Sequence, residues 1–231
     1  MRRLYKEAKP VAITGGHGVT LDSRLIKTPG KRDLLVPSAA LAAAIAEEWD
    51  AQHDEIRPTK LPLTRLAATC IDRVAPDRGA IIRQTANYAG TDLVCYRAVR
   101  PPALAARQQA VWEPLIDWAV LRYDAPLTIT TGVVPKNQAD STLRAFAAAV
   151  AEQNDFELTA LHVVTAACGS LVIALALIEG RLDAQETYAA SQLDESFQIE
   201  AWGEDAEQAE RRRALAADIE AAARFLLLLG A

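Results

Sequence analysis

The spacing of hydrophobic positions changes at residue 38. Before it, short β-branched runs sit between turn residues. Residues 11–14 and 18–22 flank Gly15-Gly16-His17, and residues 24–28 and 33–37 flank Pro29-Gly30-Lys31. That pattern predicts three or four short antiparallel strands. From Ser38 onward the apolar residues recur with a helical period. Ser38 is placed to N-cap a helix reaching about residue 53, with Leu41, Ile45 and Trp49 on one stripe. Trp49 is therefore expected to be a buried structural anchor. Leu63, Leu66, Ala67, Cys70, Ile71 and Val74 predict a helix over 62–75, and another is expected over 78–89, closed by Gly90. After Pro101-Pro102, Leu104, Val111, Trp112, Leu115 and Trp118 mark a helix that Pro114 should kink or restart. The run 127–134 reads as a strand or extended loop. Helices follow at 139–153, 156–179, 184–201 and 206–229, the last two opening on Asp183 with Glu186 and Asp205 with Gln208.

These elements describe an α+β chain. A small N-terminal domain over residues 1–90 carries antiparallel β-strands plus helices, and a larger, mainly α-helical bundle domain covers 91–231. One stretch raises the question of a membrane: residues 158–178 hold no Asp, Glu, Lys or Arg. His162, Thr159, Thr165 and Ser170 interrupt it, and Asp155, Glu157 and Glu179 flank it without a basic cluster. A buried central helix, apolar all round, is the expectation, with no stable membrane insertion.

Charge narrows the choice of partners. The net charge of −5 argues against a general nucleic-acid binder. Residues 1–36 carry eight bases against three acids, while residues 181–231 carry eleven acids against five bases, so the two ends present surfaces of opposite sign. Cys70, Cys95 and Cys168 are odd in number and form no CxxC pair. A disulfide scaffold and a cysteine zinc site are both disfavoured, and a reduced compartment is expected. No apolar stretch follows the basic N-terminus, so no secretory signal is read there.

Motifs for chemistry are sparse. GGHG at 15–18 lies between strands and fits no phosphate loop. His53-Asp54-Glu55 reads as the polar end of a helix, and Cys168-Gly169-Ser170 lies inside the apolar helix, where the small residues would permit close packing. No cofactor and no metal are expected. The stretch that stands out is LDESFQIEAWGED, residues 193–205, with five carboxylates around Phe197, Ile199 and Trp202 and no base. On one continuous helix, Glu200 continues the stripe of Leu193 and Phe197, and Glu195 shares a second stripe with Tyr188, Gln192, Ile199 and Trp202. A carboxylate in such company has a raised pKa, an arginine partner or a binding role. Four readings stay open: a partner-binding face, an ordinary half-exposed helix with Glu195 and Glu200 at its solvent margin, an enzyme whose cleft between the two parts uses Glu195 or Glu200 as general base, and a regulatory module for a small ligand.

Longer stretches carry a resemblance. RLYKEA at 3–8, VTLDSRLIKTPGK at 19–31, LAAAIAEEWDAQ at 41–52 and IRPTKLPLTRLAATCIDRV at 56–74 stand in order. TDLVCYRA at 91–98, RQQAVWEPLIDW at 107–118, GSLVIALAL at 169–177 and LDESFQIEAWGED follow. Together they resemble the assembly chaperones of the ATP synthase catalytic sector that act on its alpha subunit, from mitochondria and alphaproteobacteria. Leu61 departs from that pattern, standing where a methionine is expected; the swap conserves volume. The resemblance implies a protein that is not an enzyme. It would hold the unassembled alpha subunit, preventing its aggregation, until the beta subunit replaces it. It also implies the two-part fold, and it suggests that Glu195, Phe197, Gln198, Glu200 and Trp202 form the partner-binding face. A free monomer in the bacterial cytoplasm, or in the mitochondrial matrix for a processed form, is the accompanying expectation.

Overall fold

The computed structural model describes residues 2–132 and 136–230. The chain divides into two compact units: Met1–Arg78 with Asp155–Ala160 and Ala221–Ala231, and Gly79–Asn154 with Leu161–Glu220. This differs from a single boundary at residue 90. Two later segments fold with the N-terminal elements, and side chains show what holds them there. Phe156 stacks on Phe225 with ring centroids 6.1 Å apart, Ser38 Oγ donates to the Leu228 carbonyl, and Arg78 pairs with Asp155 at 2.7 Å. Such pairings join residues far apart in sequence, so no periodicity announces them.

In the first unit, β1 (Ala8–Ile13) and β2 (Gly16–Leu21) form an antiparallel hairpin with Ile13 opposite Gly16. The turn is Thr14-Gly15, and Gly16 already belongs to β2. A side chain at Gly16 would meet the Val36 carbonyl oxygen at 2.7 Å, and its φ of +147° is one that other residues rarely adopt. β3 (Arg24–Leu25) and β4 (Leu35–Val36) both pair with β2, completing a four-stranded antiparallel sheet. The expected strands are present.

Helix α1 (Ala39–Asp50) packs on this sheet, its start fixed by Ser38, whose Oγ accepts from Leu41 N at 3.0 Å. Leu41, Ala42 and Ile45 are completely buried on its inner face. Helix α2 (Pro62–Thr69) begins with a proline, and its free N–H groups are met by an acid from α1. Glu48 accepts from Leu63 N at 2.7 Å, Thr64 N at 2.9 Å and Thr64 Oγ1 at 2.8 Å. Burial raises the Glu48 pKa, while these hydrogen bonds pull the other way. Thr64 Oγ1 also accepts from Trp49 Nε1 at 3.1 Å. Trp49 is half-buried, not enclosed as expected. It ties α1 to α2 through that bond, and to the N-terminal segment through Tyr5, whose hydroxyl donates to the Trp49 carbonyl at 2.6 Å.

The helix expected over 62–75 becomes α2, a π-helical turn over Cys70–Val74 and a 3₁₀ turn over Ala75–Asp77 that holds Pro76. α3 (Arg78–Ala86) follows, then a 3₁₀ segment over Asn87–Thr91. Gly90 lies inside that segment and does not cap a helix, contrary to expectation. A further 3₁₀ turn over Leu93–Cys95 leads into β5 (Tyr96–Arg97).

In the second unit, α4 (Pro102–Tyr123) runs through Pro114 without a break. Trp112, Leu115, Ile116 and Ala119 are buried on either side of the proline, so packing carries the helix across the missing hydrogen bond. β6 (Thr130–Thr131) pairs in parallel with β5; the last two residues of the run 127–134 lie outside the described residues. α5 (Asp140–Glu152) comes next.

The single helix expected over 156–179 is two, α6 (Asp155–Cys168) and α7 (Leu171–Ile178). Gly169 makes the break in the left-handed region at φ +65°, with nothing within 4 Å of where a side chain would start. It serves a turn, not close packing. Ser170 caps α7, accepting from Ile173 N at 3.0 Å. All seven residues from Leu171 to Leu177 are buried. Among the described residues no helix is long and apolar enough to cross a membrane.

Asp92 completes the α7 cap from inside the core. It is wholly buried; its Oδ1 accepts from Ser170 Oγ at 2.5 Å and Val94 N at 3.2 Å, and its Oδ2 from Val172 N at 3.0 Å. Burial pushes this carboxyl from 3.8 up to about 6, against those hydrogen bonds. The region expected as one helix over 184–201 is likewise two, α8 (Ala184–Ser191) and α9 (Leu193–Trp202), and α10 (Ala206–Leu229) ends the chain.

Trp49→Ala should lower stability by about 2–4 kcal/mol, because it opens a partly filled site and removes the indole hydrogen bond to Thr64, whose hydroxyl keeps only Glu48. An unchanged urea midpoint would show that neighbouring side chains close the gap. For Asp92, the folded value lies above the unfolded one, so the native state holds the proton more tightly and stability rises as pH falls. Relative to Asp92→Asn, the unmodified protein should gain about 1 kcal/mol between about pH 7 and 5, and about 2 by pH 4. A flat difference curve would mean that Asp92 stays ionised in the folded protein.

Candidate functional site

The stretch 193–205 forms α9, the Gly203 that ends it and the turn into α10. Only Leu193 on α9 is buried. One side of the helix seats it on α4. Arg107 of α4 grips Glu200 through two hydrogen bonds of 2.6 Å each and lies over the Phe197 ring at 5.1 Å. Gln108 donates to Asp194 Oδ1 at 2.8 Å, and its own oxygen accepts from Ala98 N at 2.7 Å. The Arg107 hydrogen bonds hold the Glu200 carboxyl below the usual carboxylate range, and they raise the guanidinium reciprocally. A general base needs the opposite shift. Glu200 has the arginine partner instead.

The other side of α9 faces a groove. Glu195, Gln198, Ile199 and Trp202, spaced at i, i+3, i+4 and i+7, line it with Arg211 and Arg212 from α10, around about 340 Å³. Glu195 and Gln198 are exposed, Ile199 is half-buried, and Trp202 is 82% exposed. The five expected binding residues therefore divide: Glu195, Gln198 and Trp202 reach solvent at the groove, whereas Phe197 and Glu200 engage Arg107.

Tyr188 leaves the stripe it was expected to share with Glu195, because the chain turns at Gln192 between α8 and α9. Its hydroxyl accepts from Arg212 Nε at 2.9 Å. The same guanidinium donates to Ser196 Oγ at 2.9 Å and to Glu204 at 3.3 Å. One arginine on α10 thus fixes α8, α9 and the 203–205 turn, and sets the back wall of the groove. Arg107 and Arg212 were missed by sequence reasoning. The only signal for Arg212 was that Arg211-Arg212-Arg213 are the sole bases between residues 182 and 223. Asp205 accepts from Gln208 N at 2.8 Å at the start of α10, as expected.

The remaining chemical candidates lie elsewhere. His53, Asp54 and Glu55 are exposed beyond the end of α1, and among the described residues no group of three or more His, Cys, Asp or Glu is arranged to hold a metal. His162 is half-buried, its Nδ1 2.9 Å from Thr85 Oγ1.

Comparison with known proteins places this geometry in a family. The family model for the ATP12 chaperone protein matches residues 2–120. The mitochondrial protein atp12 of Schizosaccharomyces pombe is 24% identical over 221 residues, covering 90% of this chain and 76% of that protein. The crystal structure of Atp12 from Paracoccus denitrificans is 43% identical with a TM-score of 0.94, covering 99% of this chain and 98% of that one. The Atu1473 protein of Agrobacterium tumefaciens is 38% identical with a TM-score of 0.94, covering 99% and 86%. The family model stops before α9, so the likeness of the groove region rests on the fission-yeast relative and the solved structures, whose matches extend over 90% and 99% of this chain.

Arg212→Ala should cost about 1–3 kcal/mol, since it releases three partners around the groove. Arg212→Lys should restore little, because an ammonium cannot present the same fork. Full stability of Arg212→Ala in a melting experiment would mean that the groove wall is set by packing alone.

Proposed function

The chain belongs to the ATP12 chaperone family, and on that footing we propose that it acts in assembly of the ATP synthase catalytic sector. In this reading it holds the unassembled alpha subunit, keeping it from aggregating until the beta subunit takes its place. The observation that carries the reading is the groove between α9 and α10, with Trp202 left 82% exposed at its edge. A large apolar ring left in water gains the free protein nothing, and tryptophan is among the residues most enriched at interface hot spots. Glu195 and Gln198 beside it supply charge and hydrogen bonding, which select a partner more than they hold it.

Phe197 and Glu200 have a supporting part in this proposal. They seat α9 on Arg107, so the stripe of Glu195, Gln198 and Trp202 is presented on a fixed helix. Chaperoning of this kind needs no cofactor and no bond-making step. The setting we propose is a bacterial cytoplasm, or the mitochondrial matrix for a processed eukaryotic form, with the free protein monomeric.

The test is capture of purified alpha subunit by the immobilised chain. Trp202→Ala should weaken capture roughly 10- to 100-fold with little change in melting temperature. Glu195→Gln should weaken it about tenfold at low salt, and less as salt rises. No capture by the unmodified protein would sink the reading, and full capture by both variants would move the client to another face.

A further inference from the structure

A second groove lies in the first unit, built from the N-terminal segment, the β2–β3 hairpin and α1, and it encloses about 940 Å³. Its apolar surface includes Tyr5, Leu25, Trp49 and Ile56. Leu4 also lines it and is 89% exposed, the most exposed large apolar side chain among those described. A chain gains nothing from an isolated leucine in water, whereas a leucine flanking a groove with two aromatic rings forms an apolar contact surface.

The aromatic rings are held in place before any ligand arrives. Tyr5 lies 6.0 Å from Trp49 between centroids and donates to the Trp49 carbonyl, and Trp49 is bound to Thr64. The N-terminal segment is pinned by Arg3, whose guanidinium donates to the Tyr5, Lys6, Asp50 and Gln52 carbonyls and to Asp50 Oδ1. Such preorganisation lowers the entropy lost when a partner docks.

Charge selects the partner. Arg2, Arg24 and Lys27 line the groove against a single acid, Asp22. The acid is turned to its own chain, its Oδ1 accepting from Lys6 N at 3.0 Å and Glu7 N at 3.2 Å. Lys27 is paired with Asp33 at 2.9 Å, whereas Arg2 and Arg24 are exposed and make no side-chain ion pair among the described residues. Two exposed guanidinium forks beside an apolar surface match carboxylates next to large apolar side chains. We infer that this groove is a second client-docking surface, taking a polypeptide segment of the client in which apolar side chains alternate with carboxylates. The inference rests on the chaperone reading above, but its chemistry differs from that of the α9–α10 groove, where the acid belongs to this chain.

The experiment uses the full chain and a fluorescein-labelled peptide of alternating Leu and Glu, read by anisotropy at low salt. The unmodified protein should bind it, and Arg2→Glu/Arg24→Glu should weaken binding by about tenfold or more, as should raising salt to roughly 0.5 M. Leu4→Ser should also weaken binding, and Trp202→Ala should leave it unchanged. All four positions are exposed, so melting temperatures should stay close to that of the unmodified chain. Equal binding by the double arginine variant, or equal binding of a Leu-Lys peptide, would overturn the inference. So would self-association of the free chain that the double variant abolishes, since the groove would then belong to a second copy. Failure to capture alpha subunit while the Leu-Glu peptide still binds at Arg2 and Arg24 would count against the client's identity and leave the groove's chemistry standing.

Discussion

Helix α7 has no face left for water, and the second unit is arranged around that constraint. Seven consecutive side chains from Leu171 to Leu177 are buried, so every direction from the helix must meet protein. α4, α8 and the 3₁₀ segment over Asn87–Thr91 pack against it. Its first N–H groups open inside the core, where unsatisfied donors are expensive. Ser170 and Asp92 answer them, and the Asp92 carboxylate bears the desolvation. The break at Gly169 is what allows so apolar a segment to begin abruptly.

Much of the architecture was legible because its causes are local. The alternation of β-branched runs with Gly15 and Gly30 marked the sheet, and Ser38, Asp183 and Asp205 marked helix starts through their own side chains. What escaped were breaks inside apolar or amphipathic runs. Gly169 and Gln192 each turn the chain for one or two residues without disturbing the hydrophobic count, so a period-based reading runs across them. Pro114 erred the other way, because buried residues on both sides outweigh one missing hydrogen bond. Trp49 was placed on the right helix face but expected deeper than it lies. Its outer edge belongs to a groove formed, apart from Ile56, with residues more than twenty positions away.

The acids of 193–205 show the same division between local and distant causes. Their presence in this stretch was plain, yet their surroundings depend on Arg107, 93 positions from Glu200, and on Arg212, which stands 8 positions from Glu204, 16 from Ser196 and 24 from Tyr188. Glu200 is absorbed by a guanidinium and Glu195 is left to solvent, although the two stand only five positions apart. One helix thus carries a structural acid and an uncommitted acid on different sides. The uncommitted one shares its side with Trp202.

The three cysteines have a consequence for a protein whose family handles others. Cys70, Cys95 and Cys168 are all free and buried, and burial pushes their thiols up to about 11, 12 and 12. At neutral pH fewer than on the order of one in a thousand of each is thiolate, the form that attacks disulfides and electrophiles. A protein with exposed cysteines or disulfides of its own would meet no cysteine thiolate on this surface. Docking would therefore proceed without thiol–disulfide exchange with this chain.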